Sequence, residues 1–145
     1  MRAVIQRVKH TSLCVGGALV SEIPGGLAVY LGVAPDDSER NAASMAKKIA
    51  QLRIFEDGQG KMNLSVRDVG GEVLLISQFT LYGDCTHGNR PSFIGAARPE
   101  AAESLYLRTA ELLRGYGVPV CTGIFGADMK IEQYNDGPVT IVYEC

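Results

Sequence analysis

The run Leu-Ala-Val-Tyr-Leu-Gly-Val at 27–33 is apolar at almost every position and follows a Pro24-Gly25-Gly26 break. A strand with one wet face alternates apolar and polar residues, whereas a continuous apolar run is covered on both faces. The chain therefore has to pack material on either side of at least this strand. It has 145 residues to do so. That length suits one domain over 1–145, too short for two well-buried ones and long enough to need no metal or disulfide as a staple.

The flanking pattern supplies the other layers. Arg2–Val8 alternates imperfectly and continues past Lys9-His10 into Ser12–Val15; Gly16-Gly17 is a hairpin signal leading to a strand at Ala18–Ile23. Pro35-Asp36-Asp37-Ser38 carries helix-start chemistry, with Asp37 or Ser38 as N-cap, and Ala42, Met45, Ala46, Ile49 and Leu52 recur at helical spacing over 38–52. Glu72–Gln78 reads as a strand. A second helix is predicted over 99–115, with Pro99 at its first position, Glu100 and Glu103 early, and Gly115 and Gly117 past its end. Val118–Thr122, Met129–Tyr134 and Val139–Tyr143 are the last predicted strands. The order predicts an α+β fold, a single compact domain of mostly antiparallel sheet packed with two main helices.

Composition excludes several classes. Hydrophobic residues make up 46% and charged residues 21%, which is globular rather than disordered. No run of about 18 uncharged apolar residues exists to span a membrane, and the charged start Met-Arg-Ala-Val-Ile-Gln-Arg argues against an export signal. Cys14, Cys85, Cys121 and Cys145 lie far apart with no CxxC pair, so reduced thiols in cytoplasm are expected. The net charge is −2, unlike a protein that grips long nucleic acid. Residues 1–99 carry 11 basic and 9 acidic side chains against 3 and 7 over 100–145, so a polyanion would meet the first two thirds.

The chain has no G-x-S-x-G elbow, Walker loop or H-E-x-x-H. His10 sits at a strand end, and Cys85 with His87 raises a thiol-hydrolase reading, although loop neighbours rarely supply nucleophile and base together. Two segments stand out. Ser77-Gln78-Phe79-Thr80-Leu81-Tyr82 is either a strand leaving the core or a turn that frees the Phe79 and Thr80 N–H groups for a ligand oxygen. Asn135-Asp136-Gly137-Pro138-Val139-Thr140 reads as an Asp-Gly hairpin turn, but Pro138 lacks the N–H a strand start would donate. A cis Gly-Pro bond there would aim two successive carbonyls the same way.

At these segments the chain resembles the D-aminoacyl-tRNA deacylases. S-Q-F-T-L at 77–81 and N-D-G-P-V-T at 135–140 are similar to that family's two signature motifs. M-R-A-V-I-Q-R-V at the start, R-I-F-E-D-G-Q-G-K-M-N at 53–63, G-N-R-P-S-F at 88–93 and F-G-A-D-M at 125–129 follow family sequence in the same order. A related class of editing deacylases opens the first motif with Pro and sets Thr before Asn-Gly-Pro in the second; Ser77 and Asp136 resemble the D-specific side.

The resemblance implies a cytoplasmic homodimer that cleaves the ester between a D-amino acid and the 3′-terminal adenosine of tRNA, with glycine on tRNA as a further substrate. It implies no metal, no organic cofactor and no membrane partner. Gly137 and Pro138 would form a cis-peptide filter that reaches the second subunit's site and excludes L-amino acids. Ser77, Gln78, Phe79 and Thr80 would line that site. Thr80 is the family's nominal nucleophile; a Thr hydroxyl needs an adjacent base, and a reading that asks less has the Phe79 and Thr80 N–H groups hold the oxyanion while the substrate's 2′-OH helps water. Met129 is expected near the terminal adenine, and Arg7, Lys9, Lys61 and Arg90 are candidates for tRNA phosphates, Arg90 alternatively shaping the site loop. A nucleic-acid-binding module of the same fold without catalysis is the alternative, and a Cys85-dependent hydrolase the third reading.

Overall fold

The computed structural model describes all 145 residues. The strands are β1 (Arg2–Val15), β2 (Ala18–Ile23), β3 (Gly26–Gly32), β4 (Phe55–Glu56), β5 (Met62–Leu64), β6 (Glu72–Ser77), β7 (Val120–Thr122) and β8 (Met129–Glu144). The helices are α1 (Glu39–Gln51) and α2 (Pro99–Gly115), with a 3-10 helix at Phe79–Tyr82. No helix is long and apolar enough to cross a membrane.

β3 is buried at six of its seven positions because it lies between β1 and β6 and is covered above and below. Leu27, Val29 and Leu31 face one way and join Val73, Leu75, Met45, Ile49, Tyr106 and Leu113 under the two helices. Ala28 faces the other way and meets Leu74, Ile76, Val8, Leu13 and Ile23. No helix covers that second cluster. Instead the far half of β1 curls back with β2, which packs beside β7 through Ser21 Oγ donating to the Thr122 carbonyl at 2.6 Å.

Pairing is antiparallel for β1 with β2, β3 and β8, and parallel for β3–β6 and β6–β7. The parallel pairs follow from their connections: α1 lies between β3 and β6, and α2 between β6 and β7. Ser38 is the N-cap of α1, and its N–H and hydroxyl both donate to Asn41 Oδ1, at 3.0 and 2.8 Å. Asp37 serves the preceding turn, accepting from the Ala34 N–H at 2.6 Å.

One expectation is overturned. Asn135–Pro138 is no hairpin turn, and Met129–Tyr134 and Val139–Tyr143 are not separate strands; β8 runs through as one 16-residue strand along β1. The register explains how Pro138 is tolerated. Gln6 pairs with Thr140 and Val8 with Asn135, so Asp136–Val139 stand opposite Arg7 alone. The segment is a large bulge on a strand paired along one side only, where a residue without an N–H costs no ladder bond.

Candidate active site

β6 is the central parallel strand, and its carboxyl end delivers Ser77 and Gln78 to the surface. Gln78 keeps one ladder bond, its N–H to the Leu31 carbonyl at 2.8 Å, and then the chain tightens into the 3-10 helix. The first intrahelical bond runs from the Leu81 N–H to the Gln78 carbonyl. Phe79 and Thr80 are therefore first-turn residues whose N–H groups have no carbonyl behind them within the helix. Both residues are exposed. The strand neither continues nor simply frays: it turns outward and presents backbone donors.

The turn is anchored from two sides. Arg2 Nη1 donates to the Leu81 carbonyl at 2.6 Å, and its guanidinium lies 4.9 Å above the Tyr82 ring. Burial pushes the Tyr82 hydroxyl up to about 12. Phe79 meets Phe93 edge to face, with ring centroids 5.1 Å apart. The Thr80 hydroxyl accepts a hydrogen bond from the Gln78 side-chain amide. An amide donor is no base, and no other side chain is hydrogen-bonded to the Thr80 hydroxyl.

Beside this turn lies a cavity of about 600 Å³ with mostly apolar walls, lined by Ser77, Gln78, Phe79, Phe93, Phe125 and Met129 among others. Tyr106 closes its floor, buried to 1% exposure, and donates to the Leu75 carbonyl at 2.8 Å. Burial lifts that phenol to about 12, so it stays a neutral donor. Asp128 is the one charged residue on the wall, and Lys130 Nζ lies 3.0 Å from it. The arrangement suits a flat, uncharged ring in the cavity with a developing oxyanion at its rim.

Gly137 and Pro138 lie elsewhere. They sit exposed on the β8 bulge, joined by a cis peptide bond, and are not part of this cavity's wall. Arg7 fills the space behind the bulge. Its Nε donates to the Asp136 carbonyl at 3.2 Å and lies equally close to the Asp136 carboxylate, while Nη1 donates to the Ile54 carbonyl at 2.7 Å. With its side chain 7% exposed, Arg7 is no surface cation for a phosphate. It binds the bulge to the loop after α1. Lys9 adds a looser contact, 3.4 Å to Asp136 Oδ1.

The remaining candidates scatter. Arg90 is exposed in the loop after the 3-10 helix, as are Cys85 and His87, and Lys61 is exposed in the β4–β5 turn. His10 Nε2 is 2.7 Å from Glu22 Oε1, on exposed β1–β2 surface outside the cavity. Phe93, Phe125 and Tyr106 were not singled out by sequence. Phe93 and Phe125 belong to the segments G-N-R-P-S-F and F-G-A-D-M, whose position beside a cavity only the fold reveals.

Fold and site together define a small α+β protein with a mostly apolar cavity at the carboxyl end of a central parallel strand, beside a turn with free backbone donors. The D-Tyr-tRNA(Tyr) deacylase family model matches residues 4–144, and the chain belongs to that family. Proteins named D-aminoacyl-tRNA deacylase from Fervidobacterium nodosum and Thermus aquaticus are each 54% identical over 144 residues, 99% of this chain and 97% and 95% of theirs. The solved structure titled c-Myc DNA Unwinding Element Binding Protein is 42% identical with a TM-score of 0.93, covering 100% of this chain and 99% of that one. A probable eukaryotic D-amino acid tRNA deacylase shares the fold at 18% identity, with a TM-score of 0.84 over 98% of this chain and 97% of its own.

Proposed function

We propose that this protein is an editing hydrolase that removes D-amino acids, and glycine, from the 3′ end of tRNA in the cytoplasm. The observation that carries the reading is identity of 54% across 99% of the chain with proteins named for that activity, joined to a turn that exposes backbone donors beside a mostly apolar cavity. In the reaction, water adds to the ester carbonyl and the bond to the ribose 3′-oxygen breaks, with a proton passing to that oxygen. The Phe79 and Thr80 N–H groups face the oxyanion of the tetrahedral intermediate. Losing one such donor typically costs about 10²–10³ in rate, so two can carry much of the catalysis. With no base near the Thr80 hydroxyl, the ribose 2′-OH is left to assist the water. The terminal adenine takes the cavity, against the soft Met129 side chain.

Selection against L-amino acids falls to Gly137 and Pro138 of a second copy. The need for that copy follows from the lining: β8 contributes Met129 and Ile131 to the cavity wall of its own chain, and neither Gly137 nor Pro138 is part of it. An exposed bulge on a long edge strand, with Tyr134 and Val142 exposed beside it, suits a two-fold contact between copies.

Similarity to a protein named for binding a DNA element favours a second reading, a nucleic-acid-binding module of this fold without catalysis. Release of free D-amino acid from D-aminoacyl-tRNA, over many turnovers per chain, distinguishes the two. Turnover is expected; tRNA binding with no release would leave only the second reading.

A further inference from the structure

A second, polar cleft lies at the end of α1, with a volume of about 400 Å³ and walls of Ser44, Lys47, Lys48, Gln51, Arg53 and Tyr143. Its three charged residues are all cations. None of Lys47, Lys48 and Arg53 makes an ion pair, and what sets them apart from the other unpaired cations is that they share one cleft. Lys48 Nζ lies 5.2 Å over the Tyr143 ring, whose hydroxyl is 3.3 Å from Ser44 Oγ, so one wall is fixed by packing rather than by charge. Arg53 Nη1 donates to Asn63 Oδ1 at 3.2 Å, a neutral partner that leaves its charge unspent. The negative end of α1 accounts for a cation at Lys48, in its last turn. It does not account for Arg53 beyond the helix, nor for the absence of any carboxylate from the walls.

The location adds the second argument. Arg53 precedes Ile54, whose carbonyl accepts from Arg7 Nη1, and the same guanidinium donates through Nε to the Asp136 carbonyl. One buried side chain thus ties the residue after Arg53 to the Gly137–Pro138 bulge.

We propose that this cleft binds backbone phosphates of the tRNA acceptor arm whose 3′ end occupies a second copy's cavity. The inference rests on the deacylase reading, since it takes its ligand to be that substrate's RNA. It gives a chain of net charge −2 a local, uncompensated basic site where a polyanion is needed. A few phosphate contacts confer affinity without sequence preference, and they make it salt-dependent.

The test compares wild type with the triple variant Lys47→Ala/Lys48→Ala/Arg53→Ala on two substrates, D-tyrosyl-tRNA and the minimal ester D-tyrosyl-adenosine. The expected result is a KM for the tRNA ester raised about tenfold or more with kcat little changed, hydrolysis of the adenosine ester unaltered, and a log KM against log salt slope reduced by roughly 2 to 3. The charge-conserving Lys47→Arg/Lys48→Arg/Arg53→Lys variant should stay near wild type. Unchanged KM and salt slope on the tRNA ester would overturn the proposal. So would equal loss on both substrates, which would make these residues structural supports. Wild type inactive on both D-esters would instead refute the deacylase reading itself.

Discussion

Thr80 separates two mechanisms at a single side chain. Its hydroxyl is bonded by an amide and has no base, while its N–H stands free at the start of the 3-10 helix. Thr80→Val keeps the backbone and the shape, so deacylation should stay within about tenfold of wild type; loss of about 10³ or more in kcat would restore the hydroxyl as nucleophile. Arg7 is the other decisive residue. Arg7→Met leaves the Ile54 and Asp136 carbonyls without their charged donor and the Asp136 carboxylate with Lys9 alone, and should cost about 2–3 kcal/mol in urea denaturation. Gly137 has φ +132, and a Cβ there would stand 2.8 Å from the Val139 N. Gly137→Ala should therefore displace the bulge and lower D-ester hydrolysis while the circular dichroism spectrum stays native. Sequence alone placed Arg7 on the surface, because an Arg beside a Lys in a half-polar strand looks solvated. Only the bulge opposite it makes a buried slot for a guanidinium.

Among the elements, α1, α2 and the doubly buried β3 were legible because capping residues, helical spacing and a continuous apolar run each act locally. β8 was not. Asp-Gly followed by Pro carries strong turn chemistry, and what overrides it is β1, which holds both halves of β8 in register and lets Asp136–Val139 loop out between. The 3-10 helix was half legible: the hydroxyl-rich strand end signals departure from the core, but its tightening depends on Arg2 from β1 and Phe93 from a later loop. Gly83 fits that packing, since a Cβ would meet the Phe93 ring at 3.0 Å and the Thr80 carbonyl at 3.0 Å. Gly83→Ala should destabilise the turn by about 1–3 kcal/mol, read as a raised KM for the D-ester with faster hydrogen exchange at Phe79–Tyr82. Two other loops depend on carboxylates. Asp57 is held below its ordinary value of 3.8 by the N–H groups of Lys61 and Gln59, and Asp68 below the same value by the hydroxyl and N–H of Ser65. A lowered folded-state pKa stabilises above about pH 3.8, and that stability is lost as pH falls through the lowered values. The wild-type Tm should fall on acidification through this window, and Asp68→Asn should flatten the fall.

For the whole molecule, cavity and bulge lie at separate places on one chain, so the account requires two chains. Thr80→Pro, which removes one N–H, and Gly137→Ala should each be impaired alone. Mixed after unfolding and refolding together, they should recover activity, because a mixed pair contains one site with intact turn and intact bulge. No recovery would place both functions within one chain. The −2 charge fits the same picture: a protein that touches one RNA end and a few phosphates needs a local basic cleft and not a basic surface. The measurement that bears most directly on the central claim is release of amino acid from matched D-tyrosyl-tRNA and L-tyrosyl-tRNA by the purified protein. Rapid release from the D-ester is expected, with release from the L-ester no faster than in buffer. Equal hydrolysis of both, or of neither, would contradict it.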